Sequence, residues 1–480
     1  MLFLRVLIEF SAMNEERREG IQKLVHLCQE SADSPDLINI LGKLIDRCSD
    51  KKDLEGLNQA LQRISKVQFG ALSPGDHCTL LYFQANAWAA IHRCRAQGNV
   101  LPVGAERPEL AKSVSALRQA MRHDGFSDLI PFRRCQILTN LGIDFERMGR
   151  RVESIQFFDQ ALDIDPDFPM ARGCRGDALV HYGYALRCEP ETYALICLGY
   201  RDLKVAAGFG DTVERIKQFR ESVSYLEKNL SPAILAGPPH MHDCRIGKSA
   251  PETNYRMWCL QHRLFLNPLN DAISQPPACC DTLSMPAIGV RLDEGPHYPG
   301  FFNQIVQEYV SARFMLYEGL IRKRPHYSDR GVPLTNTLDY PLYGLGREKR
   351  RAAYRIAYSL LDKIAYLIRE YYELPLGPKQ TYFRSVWFKD QRRQGKKAPP
   401  VSHEEFAQAP WPIQGLYWLS RDLHSDEKEY ADSLEPDARM LHDIRNHLEH
   451  KYLKVHADWW IPPAAAEADL MPLGVDRLSF

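Results

Sequence analysis

The sequence predicts an all-α protein in two parts, a stack of paired helices followed by a bundle of long ones. Three observations predict it. A segment near residue 150 carries small and aromatic residues at offsets that suit two antiparallel helices, and weaker copies flank it. Four amphipathic stretches follow one another between residues 299 and 458. Between the two parts, residues 231–297 are dense in Pro, Gly and Asn, which break helices and favour turns. The 480-residue chain is 45% apolar and 25% charged, ordinary values for a globular protein of several domains.

The paired-helix reading rests on LTNLGIDFERMGRRVESIQFFDQALDIDP, residues 138–166. Leu138, Leu141, Gly142 and Phe145 mark one helix, Gly149 the turn, and Ser154, Phe158 and Ala161 the second helix, which Pro166 stops. Small residues at Gly142 and Ala161 allow close approach, and the two Phe rings fill the space between. The pattern resembles a tetratricopeptide (TPR) repeat, with Ser154 where that repeat usually has Ala. Leu41, Gly42, Ile45, Leu54 and Leu61 follow the same offsets; residues 80–91 with 116–121, 171–186 and 211–230 extend the array. One repeat cannot bury its own apolar face, so stacked copies are expected over residues 1–230. The competing reading is an irregular helical domain with one fortuitous match. A TPR-like solenoid takes a peptide or protein partner on its concave face, and nothing in the sequence identifies that partner.

Residues 231–297 read as an ordered connector, because apolar pieces such as MWCLQHRLFL call for a neighbour to pack against. His240, His242, Asp243 and Cys244 have metal-binding side chains, but no second ligand pair stands at zinc spacing, so the expectation is a polar loop and no metal. The 12 Cys include no CxxC and follow no secretory signal, which reads as reduced thiols in a cytoplasmic protein. The opening ten apolar residues are too short to span a bilayer. They form a buried first helix, or Met13 is the natural start. Lys+Arg and Asp+Glu balance at 61 each, so no global field draws nucleic acid or membrane. With no GxSxG, P-loop, GxGxxG or HExxH, familiar hydrolase and cofactor chemistries have no support, and no cofactor is expected.

Residues 298–480 read as the bundle, with helices expected over 299–321, 346–374, 412–423 and 436–458. Charge is uneven here: residues 346–397 hold 14 Lys/Arg against 5 Asp/Glu, and 422–437 hold 7 acidic residues against one Lys. Arg347, Lys349, Arg350 and Arg351, with Tyr and Trp interleaved after them, suit a phosphate backbone and stacked bases. They equally suit a solvated helix face whose aromatics lie in the core.

The run LHDIRNHLEHKY, residues 441–452, concentrates the chemistry. On a helical wheel Leu441, Ile444, Leu448, Tyr452 and Val455 form the core stripe. Arg445, Glu449, His442, Asn446 and His450 lie beside it, with Arg445–Glu449 and Asn446–His450 each at i,i+4. The plain reading is a surface ion pair worth about 0.3–0.5 kcal/mol next to two polar residues. The sharper reading is a half-desolvated patch.

Arg445, polar Asn446 and His450 fit Arg-polar-(x)3-His on a late helix of a four-helix bundle. This resembles the motif of the HEPN superfamily (higher eukaryotes and prokaryotes nucleotide-binding), in its bacterial subfamily with a TPR-like N-terminal region. The resemblance implies a HEPN-type four-helix bundle after the solenoid. It also implies metal-independent RNA cleavage of the defence or toxin type, with the TPR-like region as sensor or docking module. His450 would serve as general base toward a 2′-hydroxyl, Arg445 as phosphate clamp, Asn446 as orienting group and Glu449 as support for Arg445. The resemblance further implies a homodimer through the bundle. It also leads one to expect a helix after the motif, so the end some twenty residues beyond it reads as truncated. The alternative in another class is a scaffold whose bundle only dimerises or binds nucleotide.

Overall fold

Prolines and short polar side chains fix where the helices begin. Pro35, Pro74, Pro108, Pro131 and Pro169 each occupy the first helical position of an element, where a missing N–H costs nothing. Asp53 accepts hydrogen bonds from the amides of Glu55 and Gly56 at 3.1 Å and caps the helix that follows. In the computed structural model the described residues are 20–29, 35–68, 70, 72–96, 103, 107–186, 190–210, 214–237, 246–286, 289, 295–321, 324–335, 341–389, 402–424, 436–456 and 470–474. The chain is all-α, with one small parallel strand pair near its end.

The first part comprises α1 (Pro35–Lys51), α2 (Leu54–Ile64), α3 (Pro74–Ala96), α4 (Pro108–Arg122), α5 (Pro131–Arg147), α6 (Arg151–Ile164), α7 (Pro169–Leu186), α8 (Glu191–Ala207) and α9 (Glu214–Asn229). Each packs mainly on its neighbours in sequence, as a stack of helix pairs does. In the α5/α6 pair Phe145 and Phe158 are 1% and 0% exposed. A Cβ at Gly142 would lie 2.5 Å from the Phe158 ring, which is why the pair approaches as it does. Gly142→Ala is therefore expected to destabilise the chain by about 1–3 kcal/mol through overpacking. Set against the roughly 1 kcal/mol that Ala gains over Gly in a helix, this leaves a net loss of up to about 2 kcal/mol. Urea denaturation checks it; an unchanged or raised midpoint would show that Phe158 yields freely.

The connector holds α10 (Pro232–Ala236) and α11 (Ala250–Gln261). Its Cys259, Leu260, Leu269 and Cys279 share one core with α7 to α9, and Arg175 and Arg263 both reach Asp159 at 2.5 Å. Nine cysteines among the described residues are free. Cys280 is disulfide-bonded, so the expectation of reduced thiols fails there. His240 to Cys244 and the first 19 residues lie outside the described residues. Among the described residues no helix is long and apolar enough to cross a membrane, and no group of three or more His, Cys, Asp or Glu is placed to hold a metal ion.

The second part comprises α12 (His297–Ile321), α13 (Leu345–Tyr371), α14 (Trp411–His424) and α15 (Pro436–His450), then β1 (Tyr452–His456) and β2 (Leu470–Gly474). α12 and α13 pack along their lengths, and α15 rests on α13 and α14. The core crosses from one part to the other. Leu141, Phe145 and Met148 belong to the same buried cluster as Phe383, Trp387, Phe406 and Trp418. The α5–α6 turn, at Gly149 with φ +77°, meets the start of α14 so closely that a Cβ there would fall 2.4 Å from the Trp411 carbonyl oxygen. Beside this contact Arg150 is enclosed with Asp422 of α14 and with Glu153.

Candidate functional site

α15 is seated by Ile444 and Leu448, both buried, against Tyr354 of α13. The expected helix to residue 458 is corrected: it ends at His450, and Tyr452–His456 is a strand paired in parallel with Leu470–Gly474. Leu453 and Val455 are buried with period two, which a helix does not give. Arginines of α13 receive the chain as it leaves the helix. Arg355 donates to the Leu448 carbonyl and Arg351 to the Leu453 carbonyl at 2.8 Å, a favourable place for cations. The Leu342 amide donates to the Val455 carbonyl at 2.6 Å and fixes the strand to the loop before α13.

The motif side chains separate into two groups. Arg445 and Asn446 are half-buried and joined: Arg445 Nη1 donates to Asn446 Oδ1 at 3.1 Å. That bond orients the amide, so Asn446 Nδ2 donates to His442 Nε2 at 2.9 Å. A neutral His442 then carries its proton on Nδ1 and donates it to Tyr358 Oη at 3.0 Å. The Tyr358 hydroxyl is pushed up to about 12 by burial, against the pull of Arg445 and Arg384. It stays protonated across the physiological range. The guanidinium of Arg445 stands 5.9 Å from the centre of the Tyr358 ring, and the His424 ring meets His442 edge-on at 5.0 Å. One directed chain of donors thus runs from Arg445 through Asn446 and His442 to Tyr358.

His450 is exposed at the end of α15, and its side chain makes no hydrogen bond among the described residues. The pairing of Asn446 with His450 does not form; Asn446 turns to His442, one turn toward the N-terminus. Helical Cα–Cβ bonds tilt that way. Glu449 does not support Arg445 either. It faces Arg355 at 3.4 Å, because Arg445 has turned to Asn446 and Tyr358. Wheel geometry had placed His442 in the patch. Tyr358 had no local signal, since its place in the chain of donors depends on how α13 crosses α15.

The basic start of α13 is largely engaged with protein. Lys349 pairs with Glu318 at 2.5 Å, Arg351 with Glu348 at 2.6 Å, and Arg347 donates to the Tyr343 carbonyl at 3.2 Å. Arg350 has no hydrogen bond or ion pair among the described residues, and its Nε is buried. Burial lowers the affinity of Arg347 and Arg350 for their protons, and neither has a bonded carboxylate among the described residues.

A concave site lies in the first part, between α1, α3 and α5. It encloses about 230 Å³ and is lined by polar groups already in contact: Asn140 donates to Asn86 at 2.9 Å, Arg93 to Ser49 at 2.9 Å, and Arg147 to Asp144 at 2.7 Å.

No curated protein and no solved structure matches the chain. A family model does match, that of the LA2681-like HEPN, over residues 290–475. The stretch contains α12 to α15, both strands and the whole run from Arg445 to His450. Residues 290–475 of this chain belong to the HEPN superfamily.

Proposed function

We propose that the bundle is a metal-independent endoribonuclease of the defence or toxin type, and that the paired helices before it act as a TPR-like sensor or docking module. A HEPN domain suggests a nuclease or nucleotide-binding function. The observation that carries the nuclease reading is the donor chain through His442 and Asn446, which holds Arg445 at the surface of the helix that also presents His450. Arg445 supplies a planar fork for the phosphate oxygens. His450, open to solvent, takes the proton of an RNA 2′-hydroxyl. The 2′-oxygen bonds to phosphorus, the bond to the 5′-oxygen breaks, and that oxygen takes a proton from an acid supplied by the motif helix of a second copy. The products are a 2′,3′-cyclic phosphate and a 5′-hydroxyl, and DNA resists because it lacks the nucleophile. Of the basic residues, Arg347 is the better candidate to meet RNA, because Lys349 and Arg351 already have carboxylate partners and Arg350 lines an apolar cavity behind α15. The polar groove at Asn86 and Asn140 is the proposed seat of the peptide or protein partner.

One observation favours a non-catalytic bundle that dimerises or binds nucleotide: Asn446 holds His442 and not His450. Incubation of the purified chain with an end-labelled structured RNA in EDTA separates the readings. Cleavage with cyclic-phosphate ends, and none of a DNA of the same sequence, is the expected result. A strict requirement for Mg²⁺ would reject the mechanism. A folded dimer inert on every RNA would move the function to the scaffold.

A further inference from the structure

Behind α15 lies a cavity of about 240 Å³, walled by α12, α13 and the apolar stripe of half-buried Leu441 and buried Ile444 and Leu448. Its lining is apolar apart from a few groups, and nearly all of these are already satisfied. Tyr309 donates to the Leu264 carbonyl at 2.9 Å, and Tyr354 donates to the Leu441 carbonyl. Arg313 is held bidentately by Asp281 at 2.7 and 2.8 Å. Arg351 is taken up by Glu348 and the Leu453 carbonyl. The Nε atoms of Arg350 and Arg351 are both buried without a partner, but Arg351 is bonded through its other nitrogens, whereas Arg350, whose aliphatic stem packs over Gly319 of α12, makes no hydrogen bond or ion pair among the described residues. A lone arginine on an apolar cavity is an electrostatic deficit, since buried charge is costly unless paired. Burial and the nearby Arg347 both act against its charge, and no carboxylate answers it among the described residues.

We propose that this cavity is a binding site for a small apolar monocarboxylate, its body against Ala312, Leu316, Ala353 and the α15 stripe and its carboxylate on Arg350. Charge complementarity decides the head group, because a planar guanidinium receives a carboxylate on two parallel bonds. Volume decides the body. At roughly the 30 Å³ that one water takes in the liquid, the cavity holds about eight non-hydrogen atoms, and its open mouth admits one or two more. A medium-chain fatty acid fits. Occupation would brace the buried side of the helix whose other side carries Arg445 and Asn446. The binding claim itself does not depend on the nuclease reading.

The test is calorimetric titration of the full chain with octanoate, with octanol as the neutral body and octyl phosphate as the alternative head. Octanoate is expected to bind one to one, at least tenfold more tightly than octanol. Arg350→Met keeps the stem over Gly319 and is expected to abolish that difference while octanol still binds. Ala353→Met fills the cavity and is expected to remove both. Circular dichroism and the unfolding temperature show that each variant is folded. Equal binding of octanoate and octanol would overturn the proposal, as would octanoate binding that survives Arg350→Met. Tenfold tighter binding of octyl phosphate would overturn the carboxylate assignment. Absence of octanoate binding, together with a change of mass in light scattering for Ala353→Met, would show that a second copy covers this face. None of these results bears on cleavage of RNA in EDTA, so the two readings fail separately.

Discussion

His450→Ala and Arg445→Ala are each expected to abolish measurable RNA cleavage while leaving the fold intact. General acid–base help is worth about 10²–10⁴-fold, and loss of one donor to developing oxyanion charge costs about 10²–10³-fold. His450 is exposed and makes no side-chain hydrogen bond among the described residues, so its removal should change stability by no more than about 0.5 kcal/mol. Arg445 is half-buried and gives up one hydrogen bond to Asn446, a loss of about 1 kcal/mol. The measurement is single-turnover cleavage of a labelled RNA in EDTA, with urea denaturation of each variant as the control. Undiminished cleavage in His450→Ala would place the activity elsewhere. Loss of activity matched by loss of folding would leave catalysis unsupported at these two positions.

Arg150→Met is expected to give the largest stability loss, about 3–5 kcal/mol, because it leaves an enclosed carboxylate without its partner. Arg150 and Asp422 have 5% and 1% of their side chains exposed, and Asp422 Oδ1 has no hydrogen-bond partner among the described residues even with Arg150 in place. Burial pushes the Asp422 carboxyl up to about 6, against the pull of Arg150 and Arg118. Removing Arg150 pushes it further. A folded value above the roughly 3.9 of an unfolded Asp means that the folded state holds the extra proton. Stability of the variant then falls as pH rises from about 4 through the folded value. The deficit should be larger at pH 8 than at pH 5, and the double variant Arg150→Met with Asp422→Leu should recover much of it. Denaturation at the two pH values checks both. A deficit independent of pH, or no recovery in the double variant, would count against this account.

The helices were legible because their signals are local. Gly142, Phe145 and Phe158 sit at offsets that only two close antiparallel helices satisfy, and the two rings are buried there. The end of α15 was not legible, because Val455 is inside on either reading. It lies seven residues after Leu448, as a helix stripe requires, and two after Leu453, as a strand requires; only the burial of Leu453 separates them. Within the candidate site, sequence spacing names which residues share a helix face but not which way each side chain turns. Asn446 had equal claims on His442 and His450, and the tilt of the Cα–Cβ bond together with Arg445 decided it. Tyr358 lies 84 residues before His442, and Arg150 lies 272 before Asp422. Such pairs arise from how distant helices cross, for which neither periodicity nor composition carries a mark.

The shared core of the two parts bears on whether the bundle can stand alone. The matched stretch starts at residue 290. Burial draws the boundary elsewhere, because Trp387, Phe406 and Trp418 share one buried cluster with Phe145 and Met148, residues that precede the match. A bundle of this kind transplanted without its helix pairs would carry a sticky apolar surface where α14 now meets the α5–α6 turn. The two parts are thereby tied in packing: a change at the turn is answerable to α14, and through α14 to the helix that carries the motif.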